Sequence, residues 1–269
     1  MNWGIAGRTD VNGKALECAS FGPSPDKAPT IVMLHEGLGS VGLWRDLPGR
    51  LAQLTGYGVL AYSRAGYGQS DACDLPRPTD YQTREALDVL PQVLDAAGVQ
   101  KTVLLGHSDG ATMAAIYAGT CADMRVRGLI LMAPHFFVEP VGMAAIAKAR
   151  QAYETGDLKA RLAKYHANVD AAFLGWNDAW LGLAEEDWNV GEVIDYLRIP
   201  TLAIQGAQDE YGTRAQIDEL VARSYAPVDV AWLQNCGHIP HQDQPEATLA
   251  AIEEFCERLR RIEEAHVAA

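Results

Sequence analysis

Leu104-Leu105-Gly106-His107-Ser108-Asp109-Gly110-Ala111 is the stretch on which the reading of this chain turns. It is a Gly-x-Ser-x-Gly pattern that follows an apolar run and opens a segment with helical spacing from Ala111 to Cys121. Glycines on either side of a serine permit a sharp strand-to-helix turn. That turn lifts the Ser108 hydroxyl clear of the backbone and aims the positive end of a helix at any negative charge forming there. Ser108 is therefore the candidate nucleophile. The competing reading of the same residues is an ordinary Gly-Ser turn, and the strand-turn-helix context argues against it.

Working outward, short apolar runs alternate with helical stretches. The runs are Thr30–Leu34, Gly58–Tyr62, Thr102–Leu105, Val126–Met132, Pro200–Ile204 and Pro227–Leu233. Helical spacing between them includes Trp44–Leu54 and Thr83–Ala97. Uninterrupted apolar runs suit strands covered on both faces, and parallel strands need helical crossovers. The predicted class is α/β, a mostly parallel sheet with helices on both sides. Asn12-Gly13, between two extended segments of Arg8–Phe21, predicts a hairpin at the start. From His135 to Arg198 no strand-like run occurs. That interval carries Tyr153, Tyr165, Trp176, Trp180 and Trp188 and reads as a helical insertion, a lid over a pocket or a plain excursion. The domains follow: residues 1–134 and 199–269 form the core and 135–198 the cap.

A serine hydroxyl is a weak nucleophile without a base, and the base needs an orienting carboxylate. Two later loops offer them, each after an apolar run: Gly206-Ala207-Gln208-Asp209-Glu210 and Asn235-Cys236-Gly237-His238. Asp209 and His238 are the candidates, with Glu210 and His241 as alternates. All three loops would leave the carboxyl edge of the sheet, where open α/β folds bind ligands. An oxyanion site needs the N–H of the residue after the nucleophile, Asp109, and one from an early loop. His35-Glu36-Gly37-Leu38-Gly39-Ser40 supplies either Gly37 or Leu38.

Composition excludes other classes. The chain has 269 residues, 48% apolar, with 22 Lys and Arg against 35 Asp and Glu, a net charge of −13. An acidic chain is a poor partner for nucleic acid. No run approaches the ~20 apolar residues of a membrane span. The start MNWGIAGRTDVNGK lacks a basic, then apolar leader, so a cytoplasmic location is expected. Cys18, Cys73, Cys121, Cys236 and Cys256 lie far apart and fit reduced thiols. His35, His107, His135, His166 and His266 show no metal-ligand spacing.

With these residues assembled, the chain resembles the α/β-hydrolase family, in particular members with a serine nucleophile and a helical cap between strands six and seven. The hairpin, HEGLG, Ser63–Ser70 (SRAGYGQS), GHSDG, GAQD and NCGH carry the resemblance across almost the whole chain. It implies an eight-stranded, mostly parallel sheet and hydrolysis without a cofactor. The family's usual His-Gly oxyanion loop is here interrupted by Glu36 and Leu38, which leaves the substrate open. Glu36 would oppose an oxyanion unless paired, with Arg64 as partner, or turned away to cap local amides. Asp109 suits a helix N-terminus or a role in orienting substrate.

The resulting expectation is hydrolysis of a small, uncharged ester, lactone or thioester through an acyl-enzyme, since Glu36 and Asp109 would repel an anion. Substrate-binding candidates are Glu36, Arg64, Trp176, Trp180 and Trp188, with Tyr153 and Tyr165 assigned to packing. The partner is a small molecule, and a homodimer is left open. Rival readings are C–C hydrolysis of a vinylogous diketone, acyl transfer, cofactor-free oxygenase or lyase chemistry, and a non-catalytic receptor on the same fold.

Overall fold

A computed structural model of the chain describes residues 3–4, 6–185 and 187–267, the side chains at 184, 185, 266 and 267 excepted. The predicted His266 side chain and the remaining positions of the predicted core and insertion lie outside the described residues. The strands are β1 (Gly7–Val11), β2 (Lys14–Phe21), β3 (Thr30–Leu34), β4 (Gly58–Tyr62), β5 (Thr102–His107), β6 (Val126–Met132), β7 (Thr201–Gly206) and β8 (Val228–Leu233). Among the described residues they form one sheet in the order β1-β2-β4-β3-β5-β6-β7-β8. The hairpin is antiparallel and turns at Asn12 and Gly13, both at positive φ. β2 pairs antiparallel with β4, and every later pairing is parallel.

The apolar runs are strands for the expected reason. Every residue of β3, β4, β5 and β7 is buried, because helices cover both faces. Leu34, Leu104, Leu131 and Met113 belong to the core on one face; Met33, Leu105, Met132 and Phe255 belong to that on the other. β8 departs from the pattern, being only half-buried along its length, as an edge strand with one neighbour. All five cysteines are free. No described helix is long and apolar enough to cross a membrane.

The interval between β6 and β7 holds the helices Pro140–Thr155, Leu158–Leu162 and Val169–Glu185 and the turn Gly191–Tyr196. Its outgoing and returning legs touch at a bridge between Phe137 and Asn189. The helices carry their own apolar cluster, with Ile146, Phe173, Trp176 and Trp180 in it. Tyr153 packs as expected, stacked on Phe173 at 3.8 Å with its hydroxyl donating to Asp170. The insertion thus stands over the carboxyl ends of the strands as a second small core.

Candidate active site

β5 ends at His107 and the helix Asp109–Thr120 begins at once, leaving Ser108 as the turn. Ser108 has φ 53° and ψ −118°, a conformation that costs a non-glycine residue about 1–3 kcal/mol. The flanking glycines are required by close approach. A Cβ on Gly106 would collide with the backbone of Gly110 and Ala111, and one on Gly110 with the carbonyl of Leu34 at the end of β3. The elbow and the loop after β3 are therefore packed backbone to backbone.

The loops after β7 and β8 come to the same place. His238 Nε2 lies 3.0 Å from Ser108 Oγ and accepts a hydrogen bond from it. His238 Nδ1–H donates to both oxygens of Asp209 at 2.9 Å. Asp209 is held in turn by Gln205 Nε2 at 2.8 Å and by the N–H groups of Tyr211 at 2.8 Å and Gly212 at 3.3 Å. The structure brings Ser108, His238 and Asp209 together and leaves Glu210 exposed beyond them. His241 is turned away against the Trp44 ring at 5.2 Å.

The electrostatics follow from this arrangement. Burial alone would push Asp209 up, but the His238 hydrogen bond and charge hold its carboxyl down at about 2. Burial pulls His238 down, and the hydrogen bond and charge of Asp209 outweigh it, so the imidazole titrates above its ordinary 6.5. His135, buried 5.6 Å from the His238 ring, is pushed down to about 3, first by burial and then by His238. It stays neutral.

The loop after β3 is braced from behind. The carbonyl of Glu36 accepts from His35 Nδ1–H at 2.7 Å, Arg64 Nη2 at 2.9 Å and the Gly39 N–H at 3.1 Å. In a trans peptide the N–H opposes the carbonyl, so the Gly37 N–H points away from these donors. The N–H groups of Gly37, Leu38 and Asp109 donate to no acceptor among the described residues. All three residues, with Ser108 and His238, line a cavity of about 580 Å³.

Several expectations are corrected. Arg64 is not a substrate contact and does not neutralise the Glu36 carboxylate. It is buried to 1% exposure, with Nη1 on the His35 carbonyl at 2.5 Å and its guanidinium 4.9 Å from the Tyr67 ring centroid. Glu36 folds back over Gly39, its Oε2 3.6 Å from His107 Nδ1. His107 Nε2–H clamps the His238 carbonyl at 2.7 Å. Trp176 and Trp180 line the cavity, but Trp188 does not: it lies past the helix that carries them and packs on Trp180 at 5.6 Å. Tyr165, assigned to packing, lines the cavity.

Asp109 is buried to 1% exposure, and its carboxylate accepts from Tyr81 Oη and, at 3.0 Å, from Trp180 Nε1. A side chain of the insertion is thus bonded to the residue next to Ser108. Sequence reasoning missed Gln205, Tyr211, whose ring stands 4.6 Å from that of His238, and Arg45 in the cavity wall. Gln205 alone had a signal, a polar residue ending an apolar strand. Among the described residues no His, Cys, Asp and Glu grouping is arranged to hold a metal ion.

This fold and site define an α/β enzyme scaffold with a polar cluster at the carboxyl edge of its sheet. The model of the "Alpha/beta hydrolase family" matches residues 31–252, and the chain belongs to that family. Among curated relatives, a proline iminopeptidase of Lactobacillus delbrueckii subsp. lactis is 31% identical over 114 residues, 42% of this chain and 38% of that one. The chain thus matches well under half the length of this relative. Two solved structures share the fold. One is a membrane phospholipase A described as a bacterial virulence factor, with TM-score 0.74 and 20% identity over 95% of this chain and 86% of that one. The other is the enol-lactonase of Burkholderia xenovorans LB400, with TM-score 0.71 and 22% identity over 93% of this chain and 99% of that one.

Proposed function

We propose that the protein hydrolyses a small ester, lactone or thioester through an acyl-enzyme on Ser108. The observation that carries this reading is the unbroken chain from Ser108 Oγ to His238 to Asp209, at 3.0 and 2.9 Å, opening on a cavity with unpaired N–H groups.

In this mechanism His238 takes the Ser108 proton as Oγ attacks the carbonyl carbon. Asp209 fixes the tautomer and stabilises the imidazolium. The Gly37 and Asp109 N–H groups receive the oxyanion; the bracing of the Glu36 carbonyl favours Gly37 over Leu38. Loss of one such donor costs about 3–4 kcal/mol of transition-state stabilisation. His238 then protonates the leaving group, and water, deprotonated by the same imidazole, releases the acid. The helices between β6 and β7 act as the cap that shapes the acyl pocket, with Trp176 and Trp180 on its wall.

The test is a fluorophosphonate probe together with a screen of p-nitrophenyl esters, lactones, thioesters and a vinylogous diketone. Labelling at Ser108 and ester turnover that falls at least about 10⁴-fold in Ser108→Ala are expected. Turnover unaffected by that substitution would overturn the mechanism, and turnover of the diketone alone would replace the ester reading with C–C hydrolysis.

A further inference from the structure

The case for an uncharged substrate rested on two carboxylates near Ser108, and both side chains are directed elsewhere. Glu36 is folded over Gly39 toward His107, and Asp109 is closed off by Tyr81 and Trp180. Other acids of the cavity wall are occupied too. Glu139 accepts from the Thr213 N–H and hydroxyl and from Gln216 Nε2, and Asp243 from the Gly237 N–H. Of the acids lining this cavity, Glu210 makes no hydrogen bond or ion pair among the described residues, and Glu36 has only its 3.6 Å approach to His107 Nδ1, an ion pair when that imidazole is protonated.

The cations are in the opposite condition. Arg45, Arg161 and Lys164 line the same cavity. Arg161 has one long, exposed pairing, 3.4 Å to Asp157. Arg45 and Lys164 make no ion pair and no side-chain hydrogen bond among the described residues. They approach from two sides of the molecule. Arg45 follows the turn Val41–Trp44 after the loop carrying Gly37, and Lys164 follows the helix Leu158–Leu162 of the insertion. The Tyr165 ring lies against Gly42, which draws the two segments together.

Arg45 also stands in a strained backbone. Its φ of 53° and ψ of −123° nearly repeat those of Ser108, a conformation in which glycine would be at ease. Strain of this kind persists where surrounding structure enforces it and is concentrated at functional sites. Here it is borne by a residue whose guanidinium makes no ion pair or side-chain hydrogen bond among the described residues.

We propose that Arg45, with Lys164 and Arg161, forms an anion-binding subsite in this cavity, and that the acyl compound cleaved at Ser108 carries an anionic oxygen group remote from its scissile bond. A guanidinium presents paired donors that fit a carboxylate or a phosphate. These exposed cations would meet that group at the cavity's solvent side, at a distance from the reacting carbonyl set by the length of the substrate. The assignment rests on the acyl-hydrolase reading above and narrows its substrate class.

The experiment compares p-nitrophenyl hemi-esters of succinic to pimelic acid with their ω-methyl esters, and with an ω-phosphorylated acyl ester, at low and high salt. One chain length of the free acid is expected to exceed its methyl ester in kcat/KM by about two- to fivefold, the size of an exposed ion pair. Salt should reduce that ratio. Arg45→Gln and Lys164→Gln should each bring it toward one, and Arg45→Glu should invert it. Because the ratio is taken within each variant, partial loss of folded protein does not alter it. A larger advantage for the phosphorylated ester would support the subsite and name phosphate as its ligand. Methyl esters equal to or better than both anions, with turnover still abolished in Ser108→Ala, would overturn the subsite alone. Turnover indifferent to Ser108→Ala would instead overturn the reading beneath it.

Discussion

Two cavities lie at opposite ends of the same sheet. One, of about 580 Å³, opens at the carboxyl ends of the strands and contains Ser108 and His238; the other, of about 740 Å³, lies at the amino ends, between Lys101, Val126 and Pro200. The charges lining the larger are partnered: Lys101 with Glu263 at 2.8 Å, Arg127 with Glu263 at 3.6 Å, Asp123 with Arg125 at 2.7 Å, and Arg198 on the Asp195 carbonyl at 2.7 Å. At the carboxyl end, parallel strands release their loops side by side, so residues distant in sequence converge with donors and acceptors left over. Volume does not distinguish the two ends. Convergence and unspent polar groups do.

That contrast can be broken by experiment, most severely at Asp209. Under the proposed mechanism Asp209→Asn should lower kcat about 10⁴-fold by favouring the wrong tautomer of His238. The base must be neutral to act, so in the native protein kcat/KM should rise with pH through a value above 6.5 and then level off. With the carboxylate gone, burial is opposed only by the smaller pulls of Glu210 and Glu36, and that limb should shift to lower pH. A limb that stays in place would mean that Asp209 does not set the state of His238.

Trp180→Phe should have a smaller effect. It keeps a ring on the cavity wall while leaving one oxygen of buried Asp109 without its donor, a deficit of about 1–3 kcal/mol. The expected result is a drop in kcat of about tenfold shared by all substrates. A change in relative rates among substrates, with kcat retained for the best one, would assign Trp180 to specificity instead. The least effect is expected at the opposite end. Met124 is 77% exposed on the rim of the amino-end cavity, and Met124→Asp should change kcat/KM by less than about twofold, as a surface substitution far from the proposed chemistry. A large loss there would remove the distinction between the two ends.

What the sequence disclosed follows the same division. The strands, the elbow and the loops of Asp209 and His238 are written in contiguous residues, because a buried strand, a glycine-flanked turn and a strand-end polar residue each have a local physical cause. Side-chain destinations are not local. Arg64 follows β4 just as a pocket residue would, yet its fate depends on carbonyls of the β3 loop and on the Tyr67 ring. Trp176 and Trp180 are four residues apart on one helix and share a face, whereas Trp188 falls beyond the helix end at Glu185, where that spacing no longer applies. Arg45 left no trace in any pattern, since a positive φ at an arginine has no local sequence signal.

The bond between Trp180 and Asp109 bears on how molecules come and go. Lifting the helix Val169–Glu185 off the sheet would strand a carboxylate that only Tyr81 would still serve. A hinged opening of that helix is thereby disfavoured, since it would break a hydrogen bond to a buried carboxylate, a loss of about 1–3 kcal/mol.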